Sequence, residues 1–356
     1  MPKTHVAHGF LCIEMHAQQG IPLRILLKNL LSVPALSLNL RLQFFFMKNK
    51  DILAIASALG ATFFWSFSFI WFKIAYQGYD PITVVLFRLA ISTVLITLIA
   101  LAVKRLQKPK KKDIWLFVLM AFFEPFLYFI GESYGLMHIS STVAAVIVAT
   151  IPLLSPVAAW FFYREKVRWM NATGLLFSFA GVGLVVLNGS FQFNASPIGV
   201  SLEFLAVIAA IAYSIVLRKL VTRYNTFTII ALQNFIGMFL FLPLWLVFEF
   251  NTFTTRPFHP QAFRAIIFLA VFASTLAFVF FTQSIRKLGV NRSNTFINLI
   301  PVFVAILSFF ILNENLELQQ IVGIAIVVTG LFMAQIKTKK KKQAYEPIEI
   351  TTQRKG

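Results

Sequence analysis

From Asp51 to Gln335 the chain alternates long apolar runs with short polar breaks. Each run is close to the ~20 residues a helix needs to cross the hydrocarbon core of a bilayer. Ten runs can be marked, at 52–74, 81–103, 114–137, 140–162, 169–188, 198–218, 226–249, 262–285, 290–312 and 318–336. They do not alternate apolar and polar residues with the period of barrel strands, so they read as helices. The links between them are short, except 104–113 and 250–261. The pattern predicts an all-α polytopic membrane protein with ten transmembrane helices, in contact with the lipid bilayer.

The runs repeat. The segment from Ile151 (IPLLSPVAAWFFYREKVRWMNATGLLFSFAGVGLVV) aligns without gaps on the segment from Ile300 (IPVFVAILSFFILNENLELQQIVGIAIVVTGLFM). A shift of 149 residues places Pro152 on Pro301, Phe161 on Phe310, Glu165 on Glu314, Gly174 on Gly323 and Gly181 on Gly330. Tyr79-Asp80 likewise resembles Tyr224-Asn225, with Thr83 falling on Thr228. A match at fixed spacing is the mark of internal duplication. Five spans per copy is an odd number, so the second copy must be inverted in the membrane. The expected units are a first five-helix repeat over 47–189, a second over 190–336 and a basic tail over 337–356.

Composition changes little in this picture. Hydrophobic residues make up 58% of the chain and charged ones 13%, against roughly 25% charged in soluble domains. The net charge of +19 would point to nucleic acid in a soluble protein. Here it reports topology instead, and no nucleic-acid partner is expected. With the N-terminus inside, 28 of the 32 Lys and Arg fall on the inner side and only Lys73, Arg256 and Arg264 on the outer. The positive-inside rule then places both termini in the cytoplasm. Residues 1–46 mix His, Gln, Pro and Leu without a clean spanning run. The break before Met47 predicts that Met47 is the native start, an interfacial segment being the alternative. Cys12 is the single cysteine, so no internal disulfide can form.

These features carry a family resemblance. Trp65-Ser66 and Lys73 in the first span, Arg88 in the second, and the duplicated 140–183 stretch with its proline and its Glu-bearing loop resemble the drug/metabolite transporter superfamily, EamA type. The resemblance covers about 51–336. It implies carrier-mediated transport of small metabolites such as amino acids through a central cavity, by alternating access, in a bacterial inner (plasma) membrane. It does not imply a particular substrate.

Candidate chemistry lies where polar residues sit deep in the spans. Pro152 and Pro301 enter from opposite faces, about 18 and 16 Å deep at 1.5 Å per residue. Each removes a backbone donor, leaving the Val148 and Ile297 carbonyls free. Interrupted helices meeting at mid-membrane are where transporters of inverted repeats bind substrate, although prolines also serve as packing kinks. Glu124 sits near mid-membrane beside Pro125, where an ionisable group normally faces a cavity or a partner. Tyr128, Gly131, Glu132 and Gly135 continue its helical face. The two glycines equally suit a close-packed seam. Arg88, about 10 Å deep, is the expected counter-charge for Glu124 or Glu132, or a holder of substrate carboxylate. Asn291, Asn294, Thr295 and Asn298 share a face of the ninth span. Gln283 and Trp65 are further cavity candidates. Glu165 and Glu314 are expected to cap or pair locally at loop ends, and Gly174, Ser178 and Gly181 to serve close packing. Glu124 is also the expected point of proton coupling, with Pro125 as a local hinge.

Other function classes fit less well. No HExxH pair, nucleophile–base set or Walker-type loop appears, so neither an enzyme nor a cofactor or metal is expected. A sugar-phosphate or nucleotide-sugar exchanger would call for paired Lys or Arg in the cavity, and none lies between Arg292 and Lys337. A channel or scramblase remains compatible with the repeat.

Overall fold

The computed structural model describes residues 49–155, 161, 169–186, 195–288, 290–314 and 317–335. Every described element is helical. The chain divides into Met1–Leu53 and Ala54–Gly356. Of the first unit only Asn49–Leu53, the first turn of α1, is described, and all contacts below belong to the second. The first half comprises α1 (Asn49–Ala75), α2 (Pro81–Ala102), α3 (Ile114–Ala121), α4 (Tyr128–His138), α5 (Ser141–Val148) and α6 (Trp169–Val186). The second comprises α7 (Pro197–Leu220), α8 (Thr226–Phe248), the short α9 (Phe250–Thr255), α10 (Pro260–Phe268), α11 (Ala277–Leu288), α12 (Val290–Ile297), α13 (Ile300–Leu307) and α14 (Leu318–Gln335).

Six helical stretches among the described residues are long and apolar enough to cross a membrane. Three shorter apolar helices, Ser141–Ser155, Ile300–Leu312 and Leu318–Gly330, accompany them. Large apolar side chains such as Leu98, Trp115, Val247 and Phe310 face outward from them. So much exposed apolar surface is stable only against lipid or another apolar partner.

The duplication is visible in the packing. α2 lies against α8 and α6 against α14, each pairing a helix with its counterpart in the other half, and α5 lies against α13, the helix that follows its own counterpart α12. Gly181 brings α6 and α14 close, since a Cβ there would stand 2.7 Å from the Gly323 carbonyl oxygen. The third helix of each half is interrupted at the same point. A π-helical segment spans Phe122–Leu127 between α3 and α4, and another spans Leu269–Leu276 between α10 and α11. Shifted by 149, the first falls within the second. Wide turns of this kind gather at functional sites. The fourth helix is interrupted too: a turn at Ala149 and Thr150 precedes Pro152, and a turn at Asn298 and Leu299 precedes Pro301.

Matching residues also tie the two halves together at both ends of the bundle. At one end the Tyr79 hydroxyl accepts from His259 N at 3.3 Å. There Asp80 pairs with Arg256 at 3.0 Å. Glu249 accepts from the Ile82 and Thr83 amides at 3.0 and 2.6 Å, capping the N-terminus of α2 from the other half. At the other end Tyr224 donates to Asp113 at 2.7 Å and accepts from Lys110 N at 2.9 Å. There Thr228 accepts from Gln107 N at 2.9 Å. Each cap satisfies amides that a helix start leaves without partners. Glu314 was expected to act locally. Its carboxylate instead accepts from Ser141 N and Thr142 Oγ1, both at 3.2 Å, on the other half. A loop carboxylate reaches so far in sequence because the two halves are intertwined. Glu165, Met47 and residues 1–46, the basic tail, and the side chains of Asn291, Thr295 and Ser178 lie outside the described residues.

Candidate functional site

The interruptions converge on one cavity. Glu124 leaves helical geometry altogether, with φ −144° and ψ 115°, because Pro125 cannot continue the ladder. That extended residue aims its carboxylate inward. One turn further on, α4 presents Tyr128 and Glu132 on the same side, and the Tyr128 hydroxyl donates to Glu132 Oε1 at 2.8 Å. These groups line a cavity of about 70 Å³ together with Trp65, Arg88, Tyr213, Ser214 and Asn294. Residues beside both broken helices complete it: Val148 and Ile151 from one, Ile297 and Ile300 from the other.

Arg88 is the unusual member. It is 2% exposed, and its Nε donates to Ser274 Oγ at 2.8 Å. Its guanidinium carbon stands 4.9 Å from the Phe72 ring centroid and 4.3 Å from that of Phe129. Stacking on aromatic faces stabilises a desolvated guanidinium by up to ~2 kcal/mol. Its Nη1 has no hydrogen-bond partner. The expected ion pair is therefore absent: no described carboxylate lies within 4 Å of Arg88, although Glu132 and Glu124 are in Coulombic reach. The cause is the π-helical segment, which delivers Ser274 to the Nε instead. A polar network holds that segment in place. Ser92 and Thr275 share a hydrogen bond at 2.7 Å, and Asn234 donates to Ser92 at 2.7 Å.

The structure thus gathers Trp65, Arg88, Glu124, Tyr128, Glu132 and Asn294 around one cavity. Pro152, Pro301, Gln283 and Asn298 are not on its wall. The prolines act one residue away, through Ile151 and Ile300. Gln283, partly exposed, lies off the wall on α11. Asn298 is buried in the turn before α13 with both amide atoms unpartnered. Gly131 and Gly135 serve as a seam against α7: a Cβ on Gly131 would lie 2.5 Å from the Leu202 carbonyl oxygen. Trp65 is held edge-on by Phe278 and Phe281 at 5.3 and 4.8 Å.

Several groups escaped the sequence reading. Glu203 on α7 is 0% exposed, neither of its carboxylate oxygens has a hydrogen-bond partner, and it lies within reach of Glu132 and Lys73. Its signal was the same as that of Glu124, a lone carboxylate inside an apolar run. Tyr213, which donates to Gln233 at 3.3 Å, and the Ser92–Asn234–Thr275 network consist of residues that also occur as ordinary polar contacts between helices, so nothing in their spacing marked them. No cluster of three or more metal-ligating side chains occurs among the described residues.

Comparison with known proteins agrees with this architecture. The model of the EamA-like transporter family matches twice, over residues 52–187 and 197–335. The chain belongs to the EamA-like transporter family. The two matches coincide with the two halves just described. A Bacillus subtilis protein named as the uncharacterized transporter YetK is 28% identical over 73% of this chain and 79% of its own length. An uncharacterized transporter of Archaeoglobus fulgidus is 25% identical over 78% of this chain and 97% of its own. A probable terminal-alkyne amino-acid exporter of Streptantibioticus cattleyicolor is 22% identical over 80% and 94%. A crystal structure with 18% identity superimposes with a TM-score of 0.61, over 79% of this chain and 97% of the other, which shows a shared fold.

Proposed function

We propose that this family member is a carrier-type secondary transporter that exports small polar metabolites, amino acids foremost, by alternating access at the Arg88–Glu124–Glu132 cavity. The observation that carries the reading is a charged cavity set where the broken helices of two intertwined halves meet. Its volume is about 70 Å³, and alternating access would widen it toward one side of the membrane at a time. Arg88 offers an unpartnered Nη1 to a carboxylate. Glu124 and Glu132 offer acceptors to an amine, and Trp65 and Tyr213 supply aromatic walls. A phosphate-bearing substrate is the weaker reading, because Arg88 is the one basic side chain among the described residues of the cavity wall. The excess of Lys and Arg in the loops on that side supports a reading with the Lys110 end and both termini in the cytoplasm. Glu124 is the group proposed to take up and release a proton during the cycle.

Reconstituted vesicles test this. Vesicles loaded with an amino-acid mixture are expected to exchange labelled amino acid in a saturable, trans-stimulated manner. Arg88→Met is expected to abolish exchange. Glu124→Gln is expected to leave exchange intact while a pH gradient no longer drives accumulation. Flux linear in concentration without trans-stimulation would show a channel instead.

A further inference from the structure

A second, larger cavity opens one helical turn beyond the first, at the Lys73 end of the bundle. Its volume is about 440 Å³. That lies inside the ~300–1,000 Å³ range of small-ligand sites, whereas the central cavity does not. Its polar lining includes Lys73, His138, Ser140, Thr142, Glu314 and Gln320. It shares no lining residue with the central cavity but shares three helices with it. α1 carries Phe69 inside and Lys73 outside, α4 carries Glu132 inside and His138 outside, and α5 carries Val148 inside and Thr142 outside.

The two charges of this vestibule come from opposite halves and feel each other's field. Both keep bonding capacity. Lys73 Nζ donates to the Ile139 carbonyl at 2.7 Å, and an ammonium carries three donors. Glu314 accepts from Ser141 N and Thr142 Oγ1, and a carboxylate has about four acceptor positions. Neither group forms an ion pair within 4 Å among the described residues. A cation and an anion that face one roomy polar space without touching are complementary to a molecule carrying both charges.

We propose that the vestibule is a second ligand site, which takes a small zwitterion with its carboxylate on Lys73 and its ammonium on Glu314. Acid-only or amine-only molecules would meet one favourable charge and one repelling charge. The site therefore selects for the charge pair itself, before any closer inspection in the central cavity. It would hold a substrate at one end of the pathway while the central cavity is closed. The ligand site itself does not depend on the chemistry assigned to Arg88, Glu124 and Glu132; its place on a pathway rests on the transport function proposed above.

The test reads occupancy rather than transport, so a protein that carries nothing still gives an answer. Met137 lines the vestibule and is 52% exposed. In the full-length protein with Cys12→Ser, Met137→Cys is reacted with a small neutral thiol reagent in lipid nanodiscs. The probes are free L-alanine, propionate and ethylammonium, the last two each carrying one of its charges. L-Alanine is expected to slow the reaction with a half-protecting concentration about tenfold below either half-molecule, or ~1.4 kcal/mol. Lys73→Gln should reduce L-alanine to the level of ethylammonium, and Glu314→Gln to that of propionate. Lys73→Arg and Glu314→Asp should retain preference for the zwitterion. If L-alanine protects no better than its two halves, the proposal fails. It fails equally if both Gln variants leave protection unchanged. Should those variants not fold, the three-probe comparison in the unsubstituted vestibule decides alone.

Discussion

Replacing Gly131 by alanine should cost more than its chemistry suggests. The added Cβ would stand 2.5 Å from the Leu202 carbonyl oxygen, 2.8 Å from Ala206 N and 3.1 Å from Ala206 Cβ. The first two are backbone atoms of α7 and cannot swing away. Ordinary contact begins near 3.4 Å, so α4 and α7 must separate by close to an ångström. Overpacking of this kind costs ~1–3 kcal/mol. Alanine gains up to ~1 kcal/mol over glycine in helix propensity, which leaves a net loss of up to ~2 kcal/mol. Gly135→Ala is the control on the same face. Its Cβ would meet Glu203 at 2.8 Å (Oε1), 3.0 Å (Cγ) and 3.1 Å (Cδ), all atoms of a side chain that can rotate. The same propensity gain should then bring that variant close to neutral. The assay is the midpoint of thermal inactivation of purified protein in detergent, followed by the fraction remaining monodisperse. Gly131→Ala is expected to lower it by several degrees and Gly135→Ala to lower it less. Equal midpoints, or a larger loss at Gly135, would refute the argument that backbone contact decides.

Two further predictions follow from the two ends of the bundle. Glu249 lies just beyond α8, and burial, its largest influence, raises its carboxyl pKa above 4.5 despite the opposing hydrogen bonds from Thr83 and Ile82. A raised carboxyl favours the folded state while protonated, so this stabilisation is full at low pH and is lost as pH rises through the folded pKa; Glu249→Gln should flatten that part of the stability–pH curve, and an unchanged slope in thermal midpoints would refute it. Single cysteines replacing Lys110 and Lys340 should react with impermeant reagent only from the cytoplasmic side, and those replacing Ser190 and Thr254 only from outside, whereas outside labelling at Lys110 would sink the orientation and the inverted repeat with it.

Much of the architecture was legible because membranes restrict the choices. A run such as 81–103 can hardly be anything but a helix in lipid, since every backbone polar group must be satisfied internally. The repeat was legible in Pro152 and Pro301, whose positions set the two turns before α13 and after α5. Glu124 and Glu132 stood out because each is expensive in lipid unless it faces a cavity or a partner. Spacing could not disclose which partner each polar group would choose. Arg88 pairs with Ser274 and two aromatic rings because a π-helical segment turns Ser274 toward it, and that segment leaves no apolar period to read. Glu314 caps a helix 173 residues away, which depends on how the halves interlock. Glu203 carried a readable signal that was passed over, as a single acid in the run 198–218. Glu314 was read as a loop-end group and Lys73 as part of the first span, because a linear reading cannot bring the two to one space.

Alternating access, as proposed, requires that one cavity between the two halves open to each side of the membrane in turn. Ser214 lines that cavity, and among the described residues its hydroxyl donates within its own helix, to the Ala210 carbonyl at 2.9 Å. The decisive measurement is the reactivity of Ser214→Cys, in a Cys12→Ser background, toward an impermeant thiol reagent applied to one side of sealed vesicles of known orientation. The account predicts modification from either side, with transported substrate protecting against both. Modification from one side only, whatever the substrate or gradient present, would contradict it.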